Sequence, residues 1–436
     1  MSDLAIGLWS LPVLLVMILL RAPIGLAMLI CGGAGIWLAN GNPNMILGKL
    51  RTETFSTFSS YSLSIVPMFL LMGQFASIGG MSQALFRAAE SWLGHRRGGL
   101  AMAAIGACAG FGTICGSSLA TAATMGQVAL PELRRAGYPG GFASATLAAG
   151  GTLGILIPPS IVLVIYAVLT RQNIAQLFLA AIVPGVLAAL FYMVVVALYV
   201  RRHPEAGPVS PRQPMAARLR ALIGVSPVLA VFLLVVGGIY GGWFTPTEGA
   251  AVGAAGTGLI ALTSGRLSRA ALAQALLATA RGSAMVFFIV LGAGLFNSFL
   301  ALTQVPQTLS AAMASSGLSP LGILVVILLG YLALGCIMDS LSMILLTVPI
   351  VFPLIMGLDF GLPPEHLAIW VGILVLIVVE VGLITPPVGM NLFVIASMDR
   401  RTPTIETWRA VFWFVAADFI RVALLVAFPS IVLFVL

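Results

Sequence analysis

The 436-residue chain is 60% hydrophobic and only 8% charged, with a mean hydropathy of +1.12. That composition excludes a soluble globular domain and places the chain among polytopic membrane proteins, all-α in class. The net charge of +8 is carried mostly by arginines lying between apolar segments. This is a topogenic pattern, so the charge does not point to nucleic acid as a partner.

Apolar segments open the chain at 5–20, 23–40 and 61–83, with an amphipathic stretch at 44–58 that reads as interfacial. The first of them has no basic leader and no small-residue cleavage site, so it reads as a retained helix. Residues 100–131 are apolar, Gly-rich and interrupted by Gly116-Ser117-Ser118; this pattern predicts a re-entrant helical hairpin. The segment 142–168 is broken by Pro158-Pro159, and 174–200 is continuous. An Arg/Pro-rich linker at 201–220 divides the chain. Beyond it lie 222–242, 248–264, an interfacial 268–280 and 283–303. A second hairpin follows at 318–355, interrupted by Asp339-Ser340, then 366–396 broken by Pro386-Pro387, then 411–435.

The two double prolines lie 228 positions apart, in Gly154-Ile-Leu-Ile-Pro-Pro-Ser160 and Gly382-Leu-Ile-Thr-Pro-Pro-Val388. A double proline removes two backbone donors and forces the preceding residue out of the helical region. In lipid, the freed carbonyls need partners inside the protein or a wet cavity. Matching breaks in two halves are the sequence pointer to a transporter's binding site. The repeats are therefore expected at 1–200 and 221–436, with 201–220 as a cytoplasmic linker.

Charge supports an inverted relation between them. With the linker cytoplasmic and each hairpin returning to its side of entry, 17 basic residues fall inside and only Lys49, Arg51 and Arg171 outside. Each half then crosses five times, and both termini lie outside.

The site candidates follow from this layout. Gly112, Gly116, Ser117 and Ser118 at the first tip, and Asp339, Ser340 and Ser342 at the second, combine small residues with oxygen ligands suited to a hard cation. A carboxylate in apolar surroundings, such as Asp339, needs a partner or water. The breaks offer Thr152, Gly154, Pro158, Ser160, Thr385, Pro386, Gly389 and Asn391. Unwound carbonyls there suit a cation, and the half-helix N-termini suit an anion. Sodium is accordingly expected at Ser117, Gly154, Asp339, Ser340 and Thr385, together with backbone carbonyls. Glu380, six residues before Pro386, is a further candidate, with a structural pairing to a neighbouring arginine equally open. Asp418 and Arg421 are three apart on one helix and should pair with each other. Thr247 can cap a helix start, with Glu248 in the first turn. The four cysteines form no Cys-x-x-Cys pair and read as small buried hydrophobes, and the three histidines are scattered in loop-like sequence. No phosphate loop and no His-Glu-x-x-His occurs, so neither an ATPase nor an intramembrane metalloenzyme is expected.

Four stretches carry a resemblance to a known family: Gly112 to Ala122, Gly151-Thr-Leu-Gly-Ile-Leu-Ile-Pro-Pro-Ser160, Phe244-Thr-Pro-Thr-Glu248 and Gly382-Leu-Ile-Thr-Pro-Pro-Val-Gly-Met-Asn391. With length and segment order, they make the chain resemble the large membrane subunit, DctM-type, of the tripartite ATP-independent periplasmic (TRAP) transporters. One departure is Glu248-Gly249-Ala250, where the family usually has Glu-Ala-Ala. The resemblance implies an elevator carrier of the ion transporter superfamily, in which a scaffold holds a transport domain of two hairpins and two broken helices. It implies sodium as the coupling ion and no other cofactor, and a small organic anion, typically a carboxylate, as substrate. It also implies a periplasmic solute-binding protein, a small four-helix membrane subunit on a separate polypeptide, and the bacterial inner membrane as location. A stand-alone sodium-coupled anion symporter of the same superfamily is the alternative.

Overall fold

A computed structural model describes residues 2–315 and 317–436, with nothing said of the Ala314 side chain. Met1 and Ser316, one in each expected repeat, lie outside the described residues. Every longer regular element among them is an α-helix. Helices α1 (Asp3–Leu19), α2 (Ile24–Asn40), α3 (Pro43–Phe58), α4 (Ile65–Ile78) and α5 (Met81–Leu93) lead to a helical pair, α6 (Gly99–Cys115) and α7 (Ser118–Arg135). Helices α8 (Gly140–Leu156) and α9 (Ile161–Thr170) are the two pieces of a broken helix bent by 43°. Long helices α10 (Ile174–Arg202) and α11 (Met215–Tyr240) flank the linker. Then come α12 (Pro246–Thr263), α13 (Arg269–Leu302) and α14 (Val305–Ala314). A second pair, α15 (Pro320–Gly335) and α16 (Ser340–Met356), precedes a second broken helix, α17 (Pro364–Gly382) and α18 (Met390–Met398). The chain closes with α19 (Thr404–Ala427) and the short α20 (Ser430–Leu433).

The core lies along the first pieces of the two broken helices. All of α8 is buried, as is α17 from Leu367 onward. A helix without a polar stripe is stable only when surrounded, and these two are. Small residues let α8 sit deep: a Cβ on Gly112 of α6 would lie 2.6 Å from the Gly154 Cα. The second unit repeats this crossing, since a Cβ on Gly382 would lie 2.6 Å from the Gly335 Cα. Each hairpin is thereby locked backbone-to-backbone against the helix that breaks beside its tip.

Several boundaries differ from the sequence-based expectation. The interfacial helix expected at 268–280 is continuous with 283–303, giving one 34-residue helix. Gly282-Ser283 does not interrupt it: glycine and serine lower helix propensity by only about 0.5–1 kcal/mol each, which the surrounding helix absorbs. Helices α5 and α14 are additional. The linker shrinks to 203–214, since α10 runs through Arg202 and α11 starts at Met215. The helix expected at 411–435 spans Thr404–Ala427, and α12 is capped by Thr245 rather than Thr247, since Thr245 Oγ1 is the oxygen that accepts from the Glu248 N–H. Among the described residues, five helices are long and apolar enough to cross a membrane, or up to seven if each bent pair counts as one span. Five further apolar helices (α1, α2, α6, α15 and α16) are 16 or 17 residues long, against the roughly 20 residues of a typical span.

Candidate functional site: two hairpin tips joined on one carboxylate

Each tip is a helix end followed at once by a capped helix start. At the first, Gly116 takes the left-handed conformation (φ 62°) that ends α6, and the Ser117 side chain accepts from the Ala120 N–H at 3.4 Å to cap α7. At the second, the Asp339 carboxylate caps α16, accepting from the Ser342 N–H at 3.1 Å and the Ser342 hydroxyl at 2.5 Å. Asp339 thus meets part of its hydrogen-bonding need locally while staying half-buried at the cavity edge.

The next residue in both helices is a serine, and both serines reach the same group. Ser118 donates to Oε2 of Glu380, and Ser340 donates to Oε1 at 2.6 Å. Glu380 is fully buried on α17 and, among the described residues, has no ion-pair partner. Of the two roles open to it, the structure excludes pairing with an arginine and joins the two tips instead.

Each break is bonded to its own tip. The first, Ile157–Ser160, holds a cis Pro158-Pro159 bond; Ser160 caps α9, and the Ile161 N–H donates to the Gly116 carbonyl at 3.5 Å. The second holds a cis Pro386-Pro387 bond, and the Gly389 N–H (φ 61°) donates to the Cys336 carbonyl at 3.2 Å. The Asn391 N–H closes this loop on the Leu383 carbonyl at 3.1 Å, and its Nδ2 donates to the Ala148 carbonyl of α8 at 3.2 Å. A cavity of about 140 Å³ opens over the tips. Ser117, Ser118, Asp339 and Ser340 line it, and Leu70 of α4 and Gly282 of α13 also form part of its wall.

Oxygen atoms converge at both breaks. Thr121 Oγ1 is buried and, among the described residues, has no hydrogen-bond partner. It and the Ser117 carbonyl crowd the space a Cβ on Gly154 would fill, at 2.3 Å and 2.8 Å from that position. Around Gly389, the Leu383 and Thr385 carbonyls lie 3.1 Å and 3.2 Å from the corresponding position. The Thr385 hydroxyl donates to the Val381 carbonyl at 2.7 Å, so its carbonyl is the oxygen turned to the loop. No group of three or more His, Cys, Asp or Glu that could hold a metal occurs among the described residues.

Thr152 does not join the tips. Its Oγ1 donates to the Ala149 carbonyl at 2.7 Å and lies 3.1 Å from the Tyr192 hydroxyl. Tyr192 donates to Asp418 at 2.8 Å, and Arg421 pairs with Asp418 at 2.6 Å, all fully buried. Thr152 therefore belongs to a network tying α8 to α10 and α19. A second clasp joins α7 and α8 to the segment between α18 and α19. Arg134 of α7 bonds Asp399 at 2.5 Å and also reaches Thr402, while Ser144 of α8 donates to Asp399 at 3.2 Å. Burial raises the Asp399 pKa, but the Thr402 hydroxyl and the Arg134 guanidinium outweigh it and hold the carboxyl below its usual range.

Comparison with known proteins agrees with this architecture. Residues 11–431 match the family model of the "Tripartite ATP-independent periplasmic transporter, DctM component". The C4-dicarboxylate TRAP transporter large permease protein DctM of Pseudomonas aeruginosa is 40% identical over 353 residues, covering 80% of each chain. The ectoine/5-hydroxyectoine TRAP transporter large permease protein of Ruegeria pomeroyi is 32% identical, covering 89% of this chain and 91% of its own. Among solved structures, the Alcanivorax borkumensis YdaH transporter superposes with a TM-score of 0.64 at 15% identity over 90% of each chain, a likeness of fold.

Proposed function

Because the chain belongs to the DctM family, as the multi-pass large permease subunit of a TRAP transporter rather than an enzyme, we propose that it moves a small organic anion inward, coupled to sodium, by an elevator motion of its two hairpins and two broken helices. One observation carries the reading: both tips donate to Glu380, and each tip is bonded to its own break. Two hairpins fastened to one buried carboxylate can travel as one body against α4 and α13, across the cavity that separates them.

The oxygens around each break fit a hard cation. Ser117 and Thr121 beside Gly154, and the Leu383 and Thr385 carbonyls beside Gly389, would hold sodium; Asp339 and Ser340 line the cavity between the tips. Bound sodium would supply positive charge for the substrate's anionic group. The chain's own part is to aim the capped starts of α7 and α16 into the cavity, where helix N-termini favour an anion. C4-dicarboxylates, named for the Pseudomonas relative, fit this charge requirement.

The substrate would be delivered by a periplasmic binding protein, and a small four-helix membrane subunit would complete the scaffold. The arginine distribution supports a reading in which the 203–214 linker would face the cytoplasm of a bacterial cell and both termini the periplasm. The test is uptake by proteoliposomes holding this chain and its small subunit. Uptake should require the binding protein and an inward sodium gradient. Ser117→Ala and Ser340→Ala should weaken the sodium dependence, and Asp339→Asn more so. Uptake without the binding protein would favour a stand-alone symporter, and wild-type sodium dependence in all three variants would remove the ion assignment.

A further inference from the structure

One charged side chain of the interior is left over by the transport reading. Arg218, in the first turn of α11, is only 6% exposed, and its Nε has no hydrogen-bond acceptor. Its guanidinium lies 5.7 Å over the Trp92 ring, and Nη2 is 3.4 Å from His95 Nδ1. No ion pair includes it among the described residues. A buried charge is costly unless a counter-charge and hydrogen bonds offset it.

The surroundings add positive charge. Burial first, and then Arg218, Arg212 and Arg96, hold the His95 pKa below its ordinary value, which places the imidazole near three guanidinium groups. The linker is tied to this place by the Ser210 N–H, which donates to the Gly94 carbonyl at 3.1 Å. The start of α11 has no side-chain cap; its Ala217 and Arg218 N–H groups donate to the Pro214 carbonyl at 3.0 Å and 3.2 Å, and the positive end of the helix dipole lies at this turn.

A topogenic role does not account for Arg218. Orienting a span needs charge alone, and the arginines that fit that role (Arg201, Arg202 and Arg220) are exposed. Position decides between anions. The linker emerges between α10 and α11, two helices long and apolar enough to span the bilayer, so the cluster sits at a membrane face. Met215, Leu219 and Leu222 flank it on α11, all more than 40% exposed, and Trp92 is 37% exposed. Guanidinium groups beside uncovered apolar side chains match a phosphate headgroup with its acyl chains, whereas free phosphate would leave the apolar part uncovered.

We propose that Arg218, with His95, Arg212 and Arg96, forms a binding site for the phosphate headgroup of an anionic phospholipid at the membrane face where the 203–214 linker emerges.

Native mass spectrometry of the purified full chain, with its small subunit, tests this by titration with phosphatidylglycerol and, separately, phosphatidylcholine. The wild type should retain one phosphatidylglycerol in preference to phosphatidylcholine. Arg212→Gln, at an exposed position where folding is not at stake, should weaken that retention roughly fivefold, the value of one basic residue at an anionic surface. Arg218→Gln should weaken it further, and Arg220→Gln should leave it unchanged. Equal retention of the two lipids, an unaltered Arg212→Gln, or displacement of phosphatidylglycerol by inorganic phosphate that stabilises the protein equally well would each overturn the proposal.

Discussion

Replacing Gly382 with alanine should unseat the second hairpin from its break. The new Cβ would lie 2.6 Å from both the Cα and the carbonyl carbon of Gly335, about 0.8 Å inside the 3.4 Å edge of ordinary contact. Both obstacles are backbone, so no rotamer change relieves them, and α15 has to move with Cys336 and Asp339 just beyond. Overpacking of this kind costs about 1–3 kcal/mol, and helix propensity returns at most about 1 kcal/mol. The net effect should be a loss of about 1–2 kcal/mol and a tip displaced by most of an ångström. A misplacement near 1 Å costs on the order of a hundredfold where geometry is tight, so uptake should fall by at least about tenfold. The assay compares melting temperature in detergent and proteoliposome uptake for Gly382→Ala and Gly237→Ala. Gly237 lies on α11, and an added Cβ there meets nothing within 4 Å. If the two variants matched in both measurements, the backbone crossing would not be what sets the tip, and the same reasoning for Gly112 against Gly154 would fall with it.

Glu380→Ala leaves two buried hydroxyls, Ser118 and Ser340, without their acceptor, at about 1–3 kcal/mol each. Glu380→Gln can still accept from one and donate to the other, so it should melt nearer to wild type; an alanine variant as stable as wild type would deny the bridge. Asp399→Asn weakens the Arg134 clasp and should cost about 1.5–3 kcal/mol at neutral pH, toward the low end because Arg134 is 36% exposed. Because the folded Asp399 carboxyl lies below its ordinary range, its contribution is present above about pH 4 and is lost as pH falls through the folded value. The melting gap between wild type and variant should therefore close only in that acid range, and closure between about pH 6 and 7 would contradict the assignment. Thr245→Ala removes one side of a capping box, in which the Glu248 N–H donates to Thr245 Oγ1 at 3.3 Å and the Thr245 N–H donates to Glu248 at 2.7 Å. It should lower stability by about 1 kcal/mol, read as a lower melting temperature.

What could be read from the chain depended on whether the signal was local. Pro158-Pro159 and Pro386-Pro387 announce the breaks because a missing donor is a property of the residue itself. Ser117 and Asp339 announce the tips because a capping side chain acts within three residues. The role of Glu380 was not legible in this way, since its partners lie 262 and 40 positions away and only packing brings them together. Thr152 was placed with the break on proximity alone. Helix α8 is buried on every side, so no polar stripe shows that this hydroxyl faces Tyr192 rather than the tips. The boundary expected between 268–280 and 283–303 has no structural counterpart, since α13 runs through it. Arg218 was counted among the orienting charges because burial cannot be seen in a charge pattern.

The separation between Ser118 and Glu380 has a consequence for biogenesis. At about 5–20 residues per second, the ribosome needs roughly 13–50 s to reach Glu380 after making Ser118. For that interval the α6–α7 pair lacks the carboxylate that Ser118 donates to. Insertion machinery would have to shelter it, and slowing or stalling synthesis between residues 118 and 380 should leave that pair open to degradation.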